Sequence, residues 1–447
     1  MTGAQSAIAI ASAVRAGTQS AAEVARAALA RIQAGNPLLC AVTRVLGERA
    51  LAEAEAVDAA VAAGRDPGPL AGVPYAVKDL FDVAGLPTTA GAAMLADAPP
   101  SPTDAEALRR MRAAGAVLVA TCNMDEFAYG FATVNAAHGT TRNPHDPERL
   151  AGGSSGGSAA VVAAGMVPVA LGSDTNGSIR VPAALCGVFG LKPTHASLPM
   201  EGVFPFVDSF DDIGPFARSV ADLELVTQVL ADGAVEGATA GLRVARLGGW
   251  FTRNHSVEVT TGLDRLAAHL GGLETVELPQ VDRARSAAYL MTAAEGGARH
   301  LPELRRRQLA FDPATRDRLI AGAMLPASAM IAAQGFRERF RAAALRLFEH
   351  HDVLVAPCVG DVAPRIDDPT VTVDGERVAA RAHLGLFTQP ISFIGLPVIA
   401  APLAVQSLPL GVQLIGRPGG EAALFALARS LEQAGVLAAP MPMSAPA

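Results

Sequence analysis

Cysteine is scarce in this chain. Cys40, Cys122, Cys186 and Cys358 stand far apart and form no C-x-x-C pair, so neither a disulfide framework nor a zinc knuckle is predicted. A reducing, cytoplasmic location is expected. The first residues lack a basic stretch followed by an apolar core, which argues against a signal peptide. No uninterrupted apolar run reaches about 18 residues, so no transmembrane span is predicted.

Charge is also sparse. Charged residues make up 18% of the chain, whereas globular proteins average about 25%. The formal net charge of −7 argues against a surface that binds nucleic acid. Metal-binding patterns are missing too, because His350 and His351 are adjacent and no H-E-x-x-H is present. We therefore expect no metal, no organic cofactor, no nucleic-acid partner and no membrane.

Apolar residues, in contrast, make up half of the 447 residues, which is ample material for a core. Alanine-rich stretches predict an N-terminal helical segment over residues 1–66, with a helix break at Gly35-Asn36-Pro37. We expect the remainder, residues 67–440, to form a catalytic core within a single domain that spans 1–447.

Short apolar runs at 116–120 and 167–171 are typical of strands buried on both faces. They alternate with helical patterns, and residues from about 253 to 350 are predicted to be mostly helical. Such alternation favours an α/β fold, with a central mixed β-sheet covered by helices on both sides.

The first of two glycine-serine clusters, residues 152–158, has the sequence GGSSGGS. It matches G-x-S-x-G, the nucleophile elbow of α/β-hydrolases, but that elbow requires a strand directly before the serine. Residues 143–149 (NPHDPER) are instead typical of a loop. A phosphate-binding loop is also excluded, because no Gly-Lys-Ser/Thr closes the cluster. Alone, this cluster is equally consistent with a flexible turn.

The second cluster, residues 172–180 (GSDTNGSIR), follows a predicted buried strand. Backbone N–H groups can converge there ahead of Ser178, and such donors stabilise the oxyanion of a tetrahedral intermediate. Gly177 would let the backbone approach a substrate closely. Asp174 and Arg180 fit a supporting role better than a reactive one.

Lys78 lies in an apolar stretch from Val73 to Leu80. Burial among such residues favours the neutral amine, which can act as a base. A lone lysine would more simply be a surface residue paired with Asp79. Together with the two serine clusters, however, it indicates acyl transfer without histidine, because serine needs a base to become a nucleophile.

These motifs resemble those of the amidase signature family of serine hydrolases, and the resemblance covers nearly the whole chain. It extends through residues 186–194 (CGVFGLKPT), 395–397 (GLP) and 408–416 (LPLGVQLIG). It implies the amidase signature fold, with Ser178 as nucleophile, Lys78 as base and Ser154 between them after a cis Gly153–Ser154 peptide. It also implies an oxyanion hole made by four backbone N–H groups, those of Thr175, Asn176, Gly177 and Ser178.

Within the family, Asn176 and residues 123–131, 141–146 and 248–251 resemble the carboxybiuret hydrolase branch. That branch implies hydrolytic release of ammonia from a small, carboxylated, urea-like amide. It also implies a homodimer whose subunits each bind a very small helical helper protein, giving a heterotetramer.

Three residues are expected to bind substrate on the same grounds: Tyr129, Ser155 and Arg318. A guanidinium group can bind a carboxylate through two parallel hydrogen bonds, so Arg318 is the candidate clamp for the substrate carboxylate. The alternative is an ordinary arginine on a helix surface beside Arg316.

Two other functions are weighed against this one. The glutaminase subunit of a tRNA-dependent amidotransferase belongs to a sister branch, but the aspartate and asparagine of that branch's pattern align here with Gly385 and Ser392. Both departures count against glutamine. A non-catalytic binding protein is disfavoured because Lys78, Ser154 and Ser178 are all present.

Overall fold

A computed structural model describes residues 5–237, 239–405 and 408–442. Residues 1–4 and 443–447, which the single-domain prediction included, lie outside the described residues. The strands are β1 Val42–Val45, β2 Pro74–Lys78, β3 Val117–Cys122, β4 Val134–Asn135, β5 Gly139–Thr140, β6 Arg142–Asn143, β7 Asp146–Leu150, β8 Val169–Asp174, β9 Phe189–Lys192, β10 Asp212–Ala217, β11 Val244–Leu247, β12 Glu274–Val276, β13 Val353–Pro357, β14 Thr370–Val373, β15 Glu376–Ala379, β16 Val398–Pro402 and β17 Gly411–Gly416. The α-helices are α1 Ala7–Arg15, α2 Ala21–Leu39, α3 Gly47–Ala62, α4 Glu106–Ala113, α5 Gly156–Ala163, α6 Arg180–Cys186, α7 Val220–Ala231, α8 Val257–His269, α9 Val281–Arg307, α10 Pro313–Ala323, α11 Ala327–Leu347, α12 Ala380–His383, α13 Gln389–Ser392 and α14 Glu421–Gln433.

Eleven strands form one mixed sheet in the order β1-β3-β2-β8-β10-β9-β16-β17-β13-β11-β12. Parallel pairing joins β3 to β2, β2 to β8, and β13 to β11 to β12, whereas the other neighbours are antiparallel. Helices such as α3, α5, α7 and α14 pack against the strands. The predicted α/β fold with a central mixed sheet flanked by helices is confirmed.

The central strands are buried along their whole length because helices cover them. Every residue of β2, β3 and β8 is buried. The apolar runs at 116–120 and 167–171 therefore become β3 and β8, in agreement with the rule that strands covered on both faces are continuously apolar. The region from 253 to 350 is mostly helical as predicted, with the short strand β12 inserted.

The N-terminal segment differs from the helical prediction in two places. Residues Val42–Val45 form β1, which pairs antiparallel with β3 in the main sheet. The predicted break at Gly35-Asn36-Pro37 is also wrong, because α2 continues to Leu39. The chain turns only after Leu39, at Cys40, and the Asn36 side-chain oxygen accepts the N–H groups of Ala41 and Val42 beyond the turn.

Among the described residues, no single helix is long and apolar enough to cross a membrane. Helices α10 and α11 taken together are long and apolar enough by length and composition alone, but they form a bent pair with an angle of 91° between them.

Candidate active site

Two parallel strands bring the lysine and the second serine cluster to one edge of the sheet. β2 ends at Lys78 and β8 ends at Asp174, and the two strands pair directly in parallel. Because the carboxyl ends of parallel strands meet at the same edge, Lys78 lies beside the residues that lead to Ser178. Open α/β sheets commonly bind their ligands at such an edge.

Lys78 is completely buried, and its amine contacts two serine hydroxyls. Nζ lies 2.7 Å from Ser154 Oγ and 2.8 Å from Ser173 Oγ. Burial lowers the pKa of Lys78 to about 7, although the nearby carboxylates, Asp125 foremost, oppose the shift. Near neutral pH a large fraction of this amine is therefore unprotonated and able to accept a proton.

Ser154 follows a cis peptide bond with Gly153, as the family resemblance implies. Its loop leads directly into α5, which packs against β2 and β8. The N–H of Ser155 donates to the carbonyl oxygen of Ser178 at 3.2 Å, so the two serine loops are joined through their backbones.

Asp174 organises the turn that carries Ser178. Its carboxylate accepts the N–H groups of Gly177 at 2.6 Å and Ile179 at 3.1 Å. It also forms an ion pair with Arg180, whose Nε lies 3.0 Å from Oδ2. Since Asp174 and Arg180 are both completely buried and satisfied within the protein, the supporting role expected for them fits this arrangement.

The Gly177 N–H, one of the four donors expected for the oxyanion hole, is therefore hydrogen-bonded to Asp174. The backbone N–H groups of Thr175, Asn176 and Ser178 make no hydrogen bonds within the described part of the chain. The Ser178 hydroxyl likewise has no partner among the described residues, so it is not hydrogen-bonded to Ser154 here. Three backbone donors and one hydroxyl are thus available to a ligand at this turn.

Gly177 is required at its position by both backbone and packing. Its φ of +133° lies where side chains are rarely tolerated. A Cβ there would also collide with the side chain of Thr388. The Thr388 hydroxyl donates to the Asn176 carbonyl oxygen at 2.7 Å, which holds the turn against the segment before α13.

Tyr129 and Arg318, both predicted to bind substrate, contact each other. The Arg318 guanidinium carbon lies 3.6 Å from the centre of the Tyr129 ring, and Nη1 donates to the Tyr129 carbonyl oxygen at 3.0 Å. Both residues keep polar groups unused, because the Tyr129 hydroxyl and Arg318 Nε are buried without partners among the described residues. The stacking orients the guanidinium, as a cation over an aromatic face is favourable.

Ser155, the third residue predicted to bind substrate, forms hydrogen bonds within the protein. Its buried hydroxyl donates to the Ser173 carbonyl oxygen at 2.9 Å and accepts the Ser173 N–H at 3.3 Å. Because this exchange uses its single proton and an acceptor site, Ser155 links the first serine loop to the end of β8. This is a structural role, and binding of substrate by Ser155 stays a prediction.

Several side chains that complete the site were not predicted from the sequence. Ser173 contacts the Lys78 amine and could have been recognised from its place in the second cluster. Asp125 accepts the N–H groups of Ala132 and Thr133 through Oδ2, while Oδ1 is buried without a hydrogen-bond partner among the described residues and lies 3.9 Å from Arg381 Nε. Thr292 carries no local signal that would have revealed its contact with Asn176.

Comparison with known proteins shows which family the chain resembles. A model described as Amidase matches residues 23–425 of the chain. AtzE, the 1-carboxybiuret hydrolase protein of Pseudomonas sp. (strain ADP), is 45% identical over 443 residues, covering 95% of this chain and 97% of that protein. A glutamyl-tRNA(Gln) amidotransferase subunit from Moorella thermoacetica is 36% identical, and the match covers 93% of each chain.

Similarity to solved structures supports the same family. An inhibitor-bound form of a vestigial protein complex, described as revealing the evolutionary origins of an s-triazine catabolic enzyme, superposes with a TM-score of 0.94 at 43% identity. The match covers 98% of this chain and 100% of that one. The 6-aminohexanoate cyclic dimer hydrolase with its substrate gives a TM-score of 0.85 at 28% identity, covering 98% of each chain.

Proposed function

The chain belongs to the amidase family and is an amide hydrolase, and we propose that Ser178 is its nucleophile, Ser154 its proton relay and Lys78 its base. The observation that carries the proposal is the buried amine of Lys78, 2.7 Å from Ser154 Oγ, with its pKa lowered to about 7. A lysine in this state is matched to general-base catalysis near neutral pH.

Proton transfer proceeds along the two serines. The neutral amine donates one N–H to Ser173 and uses its lone pair to accept the proton of Ser154. Ser154 in turn takes the proton of Ser178, whose oxygen attacks the amide carbonyl carbon. Because the Ser178 hydroxyl has no partner among the described residues, the second of these contacts forms when the substrate is bound.

The tetrahedral oxyanion is stabilised by backbone donors. The unpartnered N–H groups of Thr175, Asn176 and Ser178 supply this stabilisation. The relay then returns a proton to the leaving nitrogen, which departs as ammonia and leaves an acyl-serine. Water, activated by the same base, hydrolyses the ester, so one amide and one water give one acid and one ammonia.

The substrate we propose is a small, carboxylated, urea-like amide of the carboxybiuret type. The relative named 1-carboxybiuret hydrolase supports this class at 45% identity. The Arg318 guanidinium, oriented on Tyr129, is the proposed clamp for the carboxylate, since it can bind two oxygens side by side. Neither a metal nor an organic cofactor is needed for any step.

A screen for ammonia release tests the reaction. Purified protein is incubated with carboxybiuret, biuret, allophanate, oxamate and glutamine, with the Ser178→Ala variant as control. We expect turnover of a carboxylated urea-like amide, at least about 10³-fold slower in the variant. Mass spectrometry of the quenched wild type should find the acyl group on Ser178. Turnover by Ser178→Ala at the wild-type rate would contradict the assignment of Ser178 as nucleophile.

The clamp is tested separately with Arg318→Ala and, as a matched control on the same helix, Arg316→Ala. Arg318→Ala should lose at least about 10-fold in kcat/KM on a carboxylated substrate but little on the corresponding carboxylate-free amide. Arg316 pairs with the exposed Asp317, so Arg316→Ala should leave kcat/KM unchanged on both substrates. Equal turnover of the carboxylated substrate by Arg318→Ala and wild type would exclude the clamp.

Glutamine hydrolysis in an amidotransferase is the alternative, favoured by relatives at 36–37% identity. Packing argues against glutamine hydrolysis. A Cβ at Gly385 would collide with the ring of Phe131, so the aspartate of the amidotransferase branch does not fit at this position. Ser392, at the other diverging position, accepts a hydrogen bond from Arg180. A glutaminase assay with and without tRNA-binding partner proteins separates the two functions.

The proposed assembly is a homodimer whose subunits each bind a very small helical helper protein. Its support is the structural neighbour, which was solved as a protein complex. Native mass spectrometry after co-expression with small helical proteins encoded nearby should give a heterotetramer. A monomer under all such conditions would contradict the assembly.

A further inference from the structure

Asn176 is held by a hydrogen bond that determines which way its amide group points. Its Nδ2 lies 2.7 Å from Thr292 Oγ1, and the Thr292 hydroxyl donates to the Ala288 carbonyl oxygen at 2.8 Å. A hydroxyl has one proton, and a carbonyl can only accept. Thr292 must therefore accept from Asn176, which assigns the N–H₂ group to Thr292 and leaves Oδ1 on the other side.

Oδ1 of Asn176 is buried and has no hydrogen-bond partner among the described residues. The whole residue is only 5% exposed. A buried carbonyl oxygen without a partner costs free energy, and native proteins rarely keep one unless water or a ligand occupies it. Asn176 Oδ1 is therefore a hydrogen-bond acceptor available to a ligand at this point of the site.

The position of this acceptor is fixed relative to the nucleophile. Asn176 is two residues before Ser178, and its carbonyl oxygen is held by the Thr388 hydroxyl at 2.7 Å. Its own backbone N–H has no partner within the described part of the chain and belongs to the proposed oxyanion hole. One residue thus offers a donor for a carbonyl oxygen and an acceptor for a neighbouring N–H group.

One turn of α9 connects this acceptor to the carboxylate clamp. Thr292 contacts Asn176, while Tyr289, one turn earlier on the same face, lies 5.8 Å from the Arg318 guanidinium. Helix α9 therefore contacts Asn176 through Thr292 and the proposed clamp through Tyr289, about 4.5 Å apart along its axis.

We propose that Asn176 Oδ1 accepts a hydrogen bond from the N–H that flanks the reacting carbonyl on the side away from the leaving nitrogen. Asn176 thereby selects urea-type substrates over simple amides, and Thr292 positions it. This proposal rests on the proposed function and adds the residue that recognises the urea nitrogen.

The test uses two carboxylated compounds that differ in a single group of the chain. N-Carbamoylglycine has an N–H beside its terminal carboxamide, whereas succinamate has CH₂ at the same place. For wild type and Asn176→Leu, kcat/KM is measured on both compounds. The variant should lose at least about 10-fold more on N-carbamoylglycine than on succinamate, because only the former loses a hydrogen bond. Asn176→Ala provides a second variant should the leucine impair folding.

Thr292 supplies the positioning control. Thr292→Val removes the acceptor that orients Asn176, so the preference for N-carbamoylglycine should fall about as in Asn176→Leu. Thr292→Ser keeps the hydroxyl and should restore the preference. A merely structural role for Thr292 would lower the rates on both compounds alike and leave their ratio unchanged.

Equal losses on the two compounds in Asn176→Leu would overturn the proposal, because Asn176 would then act on the carbonyl or the leaving group that both share. If wild type hydrolyses neither compound, the proposed function is wrong for small carboxylated amides of this kind. The role of Asn176 is then tested by measuring how tightly the compounds bind. Calorimetric Kd values for both compounds are then compared in Ser178→Ala and in Ser178→Ala/Asn176→Leu. An unchanged Kd ratio, or no binding, overturns the proposal.

Discussion

Arg180 and Asp174 form an ion pair in which both side chains are completely inaccessible to solvent, at the two ends of the turn that holds Ser178. Burial opposes ionisation of Asp174, but the Arg180 guanidinium outweighs it and holds the pKa of the carboxyl below its usual value. Arg180 also donates to the Thr388 carbonyl oxygen at 3.0 Å and to Gln413 Oε1 at 2.8 Å. The nucleophile turn is therefore tied to two distant segments through one cation.

Arg180→Met should consequently destabilise the protein by about 3–5 kcal/mol, because it leaves the Asp174 carboxylate buried without its partner. Urea unfolding measures the loss. Arg243→Met is the control, since Arg243 forms an exposed pair with Asp352 and its removal should leave the free energy of unfolding nearly unchanged. Similar losses in the two variants would show that burial of the pair is unimportant.

Lys78→Met should abolish activity and raise stability. The folded protein holds Lys78 at a pKa of about 7, against 10.5 ordinarily, so between these values only the unfolded chain binds this proton. Wild-type stability therefore rises with pH through that window, and below pH 7 the full penalty applies. The variant should unfold at a higher temperature than wild type at pH 6, and the difference should shrink towards pH 10.

Lys192 is the matched control, because it is the only other lysine in the chain and is also buried. It lies 2.6 Å from Asp212. Lys192→Met should therefore lower the unfolding temperature, since it removes the lysine partner of the buried Asp212 carboxylate. A Lys78→Met variant that is less stable than wild type at pH 6 would contradict the account of the lowered pKa.

Asp125→Asn should shift the acid limb of the pH–rate profile to lower pH. Asp125 is the foremost of the carboxylates that keep the Lys78 pKa from falling further. Without this negative charge the ammonium form is less stable, so the pKa of Lys78 falls, by up to about one unit. Profiles of kcat/KM against pH, with the exposed Asp361→Asn as control, measure the shift. NMR of ¹³C-labelled lysine reports the same pKa directly, as the chain has only two lysines.

Gly177→Ala should reduce kcat by at least about 10²-fold, because an added methyl group both strains the backbone and displaces Thr388 from the turn. Gly435→Ala is the control for strain alone, since Gly435 also has a positive φ of 70° but open space around it. That variant should be slightly destabilised and fully active. Full activity in Gly177→Ala would mean that the turn does not need its present shape for catalysis.

Local pattern predicted the elements that carry the chemistry. The apolar residues of β2 lead to Lys78 and those of β8 lead into the second serine cluster, so both were recognisable before any contact was known. Helix starts were equally local, because Ser20 and Glu23 form a capping box at the first turn of α2. Strand β1 was missed, since its pairing with β3 depends on a distant partner rather than on its own four residues.

The sequence by itself determined the residue types, the two serine loops and the strand that presents the lysine, because these depend on neighbours along the chain. Only the tertiary structure decided how the remaining groups meet. Arg318 and Tyr129 are 189 residues apart, and Asn176 and Thr292 are 116 apart. Such contacts arise from helix packing over the sheet, as does the burial that lowers the pKa of Lys78. The unpaired oxygen of Asn176, on which substrate selection is proposed to rest, exists only in the folded chain.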